Sequence, residues 1–172
     1  LTLQNKGGEP SLITQIDAEV IYFQQLADCT GAKPARDTLV GPYALAIPMD
    51  GAAPSEKKFS NQIRFEVKPG AADRMVLTLG PAAQPAFGTT PMVMSVRLKL
   101  VHDDDSTMDV GTVSVATTVE AATAQIDGLG DAKNAGGCAK ENLEHLDEQF
   151  AIQATRSRLL ESLRSAYQGA AS

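Results

Sequence analysis

The residues that could carry out metal chemistry are concentrated in one acidic stretch. Asp103–Asp105 are consecutive and Asp109 follows closely. Closely spaced carboxylates suit Ca²⁺, which takes six to eight oxygen ligands, but the glycine and terminal glutamate of an EF-hand loop are missing. A solvated turn is therefore the favoured interpretation. We predict no metal site and no bound cofactor.

The two histidines give no recognisable catalytic pair. His102 adjoins the acidic stretch, and His145 lies among acidic residues further along the chain. Neither has a serine or cysteine at a spacing that reveals a nucleophile and its base. The sequence also contains no G-x-S-x-G, P-loop or G-x-G-x-x-G motif. We therefore expect no enzymatic activity.

The two cysteines, Cys29 and Cys138, are far apart and have no C-x-x-C spacing. This argues against zinc and redox motifs. Two interpretations remain. The cysteines could pair in an oxidising compartment, provided that their Cα atoms lie within about 7 Å. Alternatively, both could be unpaired thiols, and this second interpretation is favoured.

Length and composition are those of an ordinary globular domain with an appendage. The chain has 172 residues, of which 43% are hydrophobic and 21% charged. The net charge of −6 argues against a nucleic-acid partner, because phosphate binding needs clustered Lys and Arg. No apolar run approaches the roughly 20 residues of a transmembrane helix. Leu1 lies within an expected strand and no signal peptide is recognisable. Either a signal has been removed or the chain is a piece of a longer protein, and the second interpretation is favoured; no compartment is predicted.

Alternating hydrophobicity predicts several half-buried strands. In Leu12–Tyr22 the polar face carries Gln15, Asp17 and Glu19. In Met92–Val101 it carries Ser95, Arg97 and Lys99. Tyr43–Ile47 and Ile63–Val67 show the same alternation. We expect each polar face to be wet and each apolar face to line a core.

Turn residues predict how some of these strands connect. Pro69-Gly70 favours a turn, since Pro fixes φ and Gly tolerates a positive φ. We expect Met75–Leu79 to continue beyond it as a strand antiparallel to the preceding one. Met92–Val101 and Met108–Thr118 are expected to form a hairpin, with Gly111 at a bulge.

The alternation stops at about Val119. Glycines mark residues 119–138 as a linker, and residues 139–168 favour one helix, or two broken near Thr155–Ser157. Its apolar stripes make it a candidate partner-contact helix, although packing on its own chain is the default expectation. The stripe residues are Leu143, Leu146, Phe150, Leu159, Leu163 and Tyr167.

Three stretches resemble a known class of domain. The opening Leu3-x-Asn5-x-Gly7, in which the Asn would cap a turn, and the later run Pro69-Gly70-Ala71-Ala72-Asp73-Arg74 are similar to immunoglobulin-like domains of multidomain bacterial proteins. Ser95–His102, the acidic turn and Asp109-Val110-Gly111 resemble the closing hairpin of those domains. The resemblance covers residues 1–118. It implies a mainly β fold, an antiparallel β-sandwich serving as an accessory module, followed here by the C-terminal α-helical segment. It implies no catalytic residue.

The first functional hypothesis is a non-enzymatic protein–protein interaction or assembly module of a larger bacterial protein. Its contact candidates are the wet strand faces and the loops 28–36 and 80–91. The alternative is a self-assembling structural subunit, of the phage coat or filament type, whose terminal helix clasps a neighbour. A homo-oligomer fits either hypothesis. A small-ligand or carbohydrate binder is disfavoured, because aromatic residues make up only 5% of the chain.

Overall fold

The structure is a computed structural model that describes residues 1–31, 42–51, 53–82, 90–117, 119–130 and 135–172. Strands dominate the first two thirds of the chain and helices the last third. The strands are β1 (Thr2–Gln4), β2 (Ser11–Gln25), β3 (Tyr43–Ile47), β4 (Met49–Asp50), β5 (Ala53–Pro54), β6 (Lys58–Val67), β7 (Ala72–Arg74), β8 (Leu77–Pro81), β9 (Met92–His102), β10 (Thr107–Thr117) and β11 (Thr155–Arg156). The helices are α1 (Val119–Leu129), α2 (Gly136–Phe150) and α3 (Arg158–Ala170).

A five-stranded sheet in the order β11-β10-β9-β2-β6 organises the fold. Its long strands pair antiparallel, and only the two-residue β11 joins parallel to β10. The predicted hairpin of β9 and β10 is confirmed. Its bulge lies between Asp109 and Gly111, where Gly111 adopts the positive φ (92°) that glycine tolerates without strain. The mainly β fold with C-terminal helices is therefore as predicted.

One face of this sheet lines the first hydrophobic core. The alternating apolar residues of β2 and β9 meet there, because Ala18 pairs with Leu98 and Val20 with Val96. The parallel pair β3–β8 contributes residues to the same core. The buried members are Ile13, Ile16, Ala18, Val20, Leu45, Ile47, Phe65, Val67, Met75, Met94, Val96, Leu98 and Leu100.

The expected antiparallel pairing across the Pro69-Gly70 turn is wrong. Gly70 does take a positive φ of 68°, but the chain after it forms β7, which pairs with β1. The next strand, β8, pairs parallel with β3. Local turn chemistry predicted the turn, whereas the choice of partner strand depended on burying Leu77 and Leu79 against the first core.

Asn5 closes the turn after β1, as the resemblance implied. Its side-chain oxygen accepts from the Gly7 amide at 2.8 Å. Its side-chain nitrogen donates to the carbonyl oxygens of Glu9 and Val67 at 2.7 and 2.9 Å. Asn5 is buried, so these bonds satisfy polar groups that would otherwise be costly to desolvate.

Helices cover part of the opposite sheet face and form a second core. Val93 of β9 and Ala116 of β10 pack there against α1, α2 and α3. The expected linker over residues 119–138 is contradicted by α1, which buries Ala121, Ala122 and Leu129. Of the two alternatives for residues 139–168, one helix or two broken near Thr155–Ser157, the structure has the second, since α2 ends at Phe150 and α3 begins at Arg158.

Side chains fix the connection between α2 and α3. Arg156 donates to the carbonyl oxygens of Phe150 and Ile152 at 2.7 and 3.0 Å, which satisfies acceptors left free at the end of α2. The Arg156 and Arg164 guanidinium groups each lie 4.7 Å from the centre of the Phe150 ring. Ser157 caps α3 by accepting from the Leu160 amide. The two helices therefore meet at a fixed junction.

A disulfide joins Cys29, just after β2, to Cys138 in the first turn of α2, with the Cα atoms 5.6 Å apart. The favoured interpretation of two unpaired thiols is therefore wrong. The bond spans 109 residues of sequence, so spacing alone could not reveal that the ends meet. It fastens the helical layer to the end of a central strand.

Replacing both cysteines, Cys29→Ser with Cys138→Ser, should lower the free energy of unfolding by about 3 kcal/mol, because the unfolded chain is no longer closed into a long loop and regains conformational entropy. Urea unfolding of the oxidised protein and the double variant measures this. Dithiothreitol should destabilise the wild type and leave the double variant unchanged. Equal sensitivity of both proteins to the reductant would contradict the assignment.

Candidate interaction site

The structure places the six stripe residues of the predicted partner-contact helix in the chain's own second core. Leu146, Leu163 and Tyr167 are fully buried. Leu143, Phe150 and Leu159 are partly buried against the same cluster. The stripe is therefore used within the chain, which was the default expectation, and it offers no free apolar face to a partner.

The described part of the first candidate loop, residues 28–31, belongs to a polar cluster beneath the helices. The Asp28 carboxylate accepts from the Thr30 and Gly31 amides and from the Gln125 side chain of α1, at 2.9, 3.0 and 2.5 Å. Burial alone would raise the pKa of Asp28, but these hydrogen bonds together outweigh burial and lower it. The carboxylate thus holds the loop to α1 rather than facing a ligand.

Close packing explains one glycine of the expected linker. A Cβ on Gly128 would lie 2.9 Å from the Thr30 side chain, closer than real Cβ contacts allow. Glycine at this position lets residues 28–31 approach α1. Most of loop 28–36 and most of loop 80–91 lie outside the described residues.

Amide side chains continue this cluster into the helical layer. Asn142 of α2 accepts from the Ala27 amide and donates to the Ala27 carbonyl, each at 2.9 Å. The Tyr167 hydroxyl donates to Gln125 at 3.3 Å, and burial raises the pKa of this phenol. Each polar group has a structural partner, so the cluster serves to seat the helices.

The acidic turn and the histidines also have structural roles. His102 contacts the Ser11 hydroxyl at 3.2 Å, while Asp104 accepts from the Ser106 amide at 2.9 Å, and hydrogen bonding from Ser106 lowers the pKa of Asp104. His145 accepts a hydrogen bond from the Tyr22 hydroxyl through its backbone carbonyl. Among the described residues no group of three or more His, Cys, Asp or Glu side chains is arranged to hold a metal ion.

The helices leave an uncovered part of the sheet face, where charged and hydroxyl side chains form two rows across four strands. Row 1 runs from β6 to β10 through Lys58, Glu19, Arg97 and Thr112. The Glu19 carboxylate lies between its two cationic neighbours, 3.7 Å from the Lys58 amine and 3.4 Å from the Arg97 guanidinium. Side-chain exposures of 77% for Lys58 and 49% for Arg97 leave both cations able to reach a second anion.

Row 2 lies beside row 1, farther from the helices. It runs through Ser60, Asp17, Lys99 and Asp109. We call the two rows together the open strip. A hollow of about 390 Å³ lies over its β6, β2 and β9 positions. A second hollow of about 650 Å³ shares Arg97 and reaches Ile21 and the α2–α3 junction at residues 152–155.

Sequence reasoning placed half of the side chains of this strip on wet strand faces but did not identify their neighbours. Asp17, Glu19, Arg97 and Lys99 were expected on wet strand faces, as observed. Ser95 was expected there too, but it is fully buried under the helices, with its hydroxyl 2.7 Å from that of Ser114. The strip arises because β2 pairs with β9 across a long sequence separation, for which a single sequence gives no direct signal.

Comparisons with protein families, with characterised proteins and with solved structures yield no match. The fold and the open strip must therefore be interpreted from their own physical chemistry. Among the described helices, none combines the length and apolar character needed to cross a membrane.

Leu146→Ala should lower the free energy of unfolding by about 2–5 kcal/mol, because it leaves a cavity in the second core. Glu144→Ala, on the exposed side of the same helix, is the matched control and should change it by less than about 0.5 kcal/mol. Chemical denaturation measures both. A Leu146→Ala protein as stable as the control would contradict the packing of α2.

Asp28 makes a testable contribution to acid stability. Its pKa is lowered in the folded state, so its stabilisation is full above its unfolded pKa of about 3.8 and is lost as pH falls through the folded value. The unfolding free energy of the wild type should therefore fall more between about pH 5 and pH 3 than that of Asp28→Asn. Urea titrations at both pH values measure the unfolding free energies. An equal loss of unfolding free energy in the wild type and in Asp28→Asn would contradict the role of these hydrogen bonds.

Proposed function

We propose that this chain is a non-enzymatic protein–protein interaction or assembly module of a larger bacterial protein, and that the open strip is its contact surface. One observation carries the proposal. The helices cover one end of the sheet face and leave the other end uncovered, with Glu19, Arg97 and Lys58 held in a defined charge order. A charged surface on rigid strands gives specificity and register to a protein contact.

The structural uses of the reactive side chains support a non-enzymatic role. Both cysteines are joined in the disulfide, so neither supplies a thiolate nucleophile. Asp28 is occupied by hydrogen bonds that seat a loop. The negative overall charge supports a protein rather than a nucleic acid as partner.

An immunoglobulin-like accessory module is the architecture that we propose with this function. The packing of β3 and β8 over the antiparallel β2, β9 and β6 supports two layers around one core. The parallel pairing of β3 with β8 is a feature that the resemblance did not lead us to expect. The alternative, a self-assembling coat-type or filament subunit, gains no support from the terminal helix, because its apolar stripe is buried within the chain.

The disulfide indicates the kind of compartment in which the proposed module would work. Such bonds persist in oxidising surroundings and are rare in reducing ones. The module would therefore work where Cys29 and Cys138 stay oxidised, outside a reducing cytosol.

Site-specific photo-crosslinking tests the contact surface. A photoreactive amino acid at Ser60 or Lys99, both exposed in the open strip, should yield a protein adduct in the cells that make the chain. The same amino acid at Glu161, exposed on α3, is the control and should yield none. Mass spectrometry identifies the adduct. Adducts of equal yield at all three positions, or none at Ser60 and Lys99, would overturn the proposal.

A further inference from the structure

The uncovered sheet face has a charge order that can identify the shape of its partner. Along row 1, positive, negative and positive side chains lie on three neighbouring strands: Lys58, Glu19 and Arg97. Neighbouring strands are about 4.8 Å apart, so the outer two charges belong to strands about 9.6 Å apart. A partner that pairs with all three must present the opposite order at nearly the same spacing.

An α-helix meets this spacing better than an extended segment. Residues at i, i+4 and i+7 lie along one helix face, and the first and last of them are about 10.5 Å apart along the helix axis. In an extended segment, side chains on one face recur every two residues, so three of them span about 13–14 Å. The mismatch to row 1 is therefore about 1 Å for a helix and about 4 Å for a strand.

The border of the open strip also suits a helix. The second hollow, which Arg97 also lines, is bordered by residues 152–155 between α2 and α3. The exposed Ile21 lines it too. A helix laid along row 1 would have its charged side over the row and could place apolar side chains against Ile21 and Ile152. In row 2, Asp17 and Lys99 pair across neighbouring strands. They would lie along the edge of the same helix that is farther from the α2–α3 junction.

We infer that the partner element is an α-helix of another protein, an inference that rests on the proposed function. This helix carries an acidic, a basic and an acidic residue at i, i+4 and i+7. The two acidic residues would pair with Lys58 and Arg97. The basic residue would pair with Glu19, which already lies between the two cations. The helix would lie across the strands, beside the α2–α3 junction.

Two designed helical peptides test this directly. One presents Glu, Lys and Glu at i, i+4 and i+7 on an alanine-based helix, and the other presents Lys, Glu and Lys there. Compensating charges on the far face give both peptides the same net charge, so the overall charge of the protein favours neither. Fluorescence anisotropy at low ionic strength should show about tenfold tighter binding of the Glu-Lys-Glu peptide to the wild type, as three surface ion pairs would supply.

Inverting row 1 should invert the preference. The triple variant Lys58→Glu, Glu19→Lys and Arg97→Glu should bind the Lys-Glu-Lys peptide more tightly. Because these side chains are exposed or half-buried, the variant should keep the wild-type unfolding midpoint. The single change Arg97→Gln should weaken the preference without reversing it, which keeps the test decisive if the triple variant unfolds. A double change on α3, Arg158→Glu with Glu161→Lys, should leave the preference intact.

The outcomes separate this inference from the proposed function. Equal binding of both peptides, or the same preference in the wild type and the triple variant, would overturn the helical partner. If photo-crosslinks from Ser60 and Lys99 still captured a protein, the interaction role would stand. Light scattering that showed a dimer dissolved by Glu19→Lys would identify a second copy as the occupant and would likewise overturn the inference.

Discussion

The helices cover only part of one sheet face, and this partial covering determines where the second core ends and the open strip begins. The burial pattern along β9 shows where the covering ends. From Met92 to Val96 every residue is buried, because the first core lies on one side and the helices on the other. From Arg97 onwards exposed and buried residues alternate as far as Leu100, because the helices no longer cover the second side. The same strand thus contributes to two cores at one end and to an open charged face at the other.

A covalent bond and side-chain hydrogen bonds add to the apolar contacts that hold the helices on the sheet. The disulfide joins Cys29 to α2, and Asn142 pairs with both backbone groups of Ala27. Both connections act on the segment that leaves β2. β2 also supplies Asp17 and Glu19 to the open strip. The strand that leads to the attachment points of α2 therefore also carries part of the charged rows. A displacement of the helical layer would therefore alter the border of the strip.

The sequence predicted the strands of the large sheet well, because their alternation is long and regular. Met92–Val101 and Leu12–Tyr22 needed no tertiary information to be recognised as strands. The pairing of strands and of cysteines was harder to predict from the sequence. The parallel pairing of β3 and β8, and the meeting of Cys29 with Cys138, join distant parts of the chain through burial rather than through local turn chemistry. The glycines of residues 119–138 misled for a similar reason. Gly128 indicates close packing against Thr30, a contact that composition alone cannot distinguish from flexibility.

Buried amides are the part of the helical layer that the amphipathic pattern did not indicate. A polar residue in an amphipathic pattern is normally assigned to the wet side, yet Asn142 and Gln149 lie inside. Gln149 donates to the Met94 carbonyl at 2.8 Å, so a helix side chain bonds directly to the backbone of a central strand. Such bonds are directional, whereas apolar contacts are not, and they therefore fix where α2 lies along the sheet. The position at which the helices stop covering β9 follows from these bonds as much as from the apolar stripe. Asn142 at Ala27 and Gln149 at Met94 thus hold α2 beside the buried end of β9, and the charged rows begin beyond that end, at Arg97.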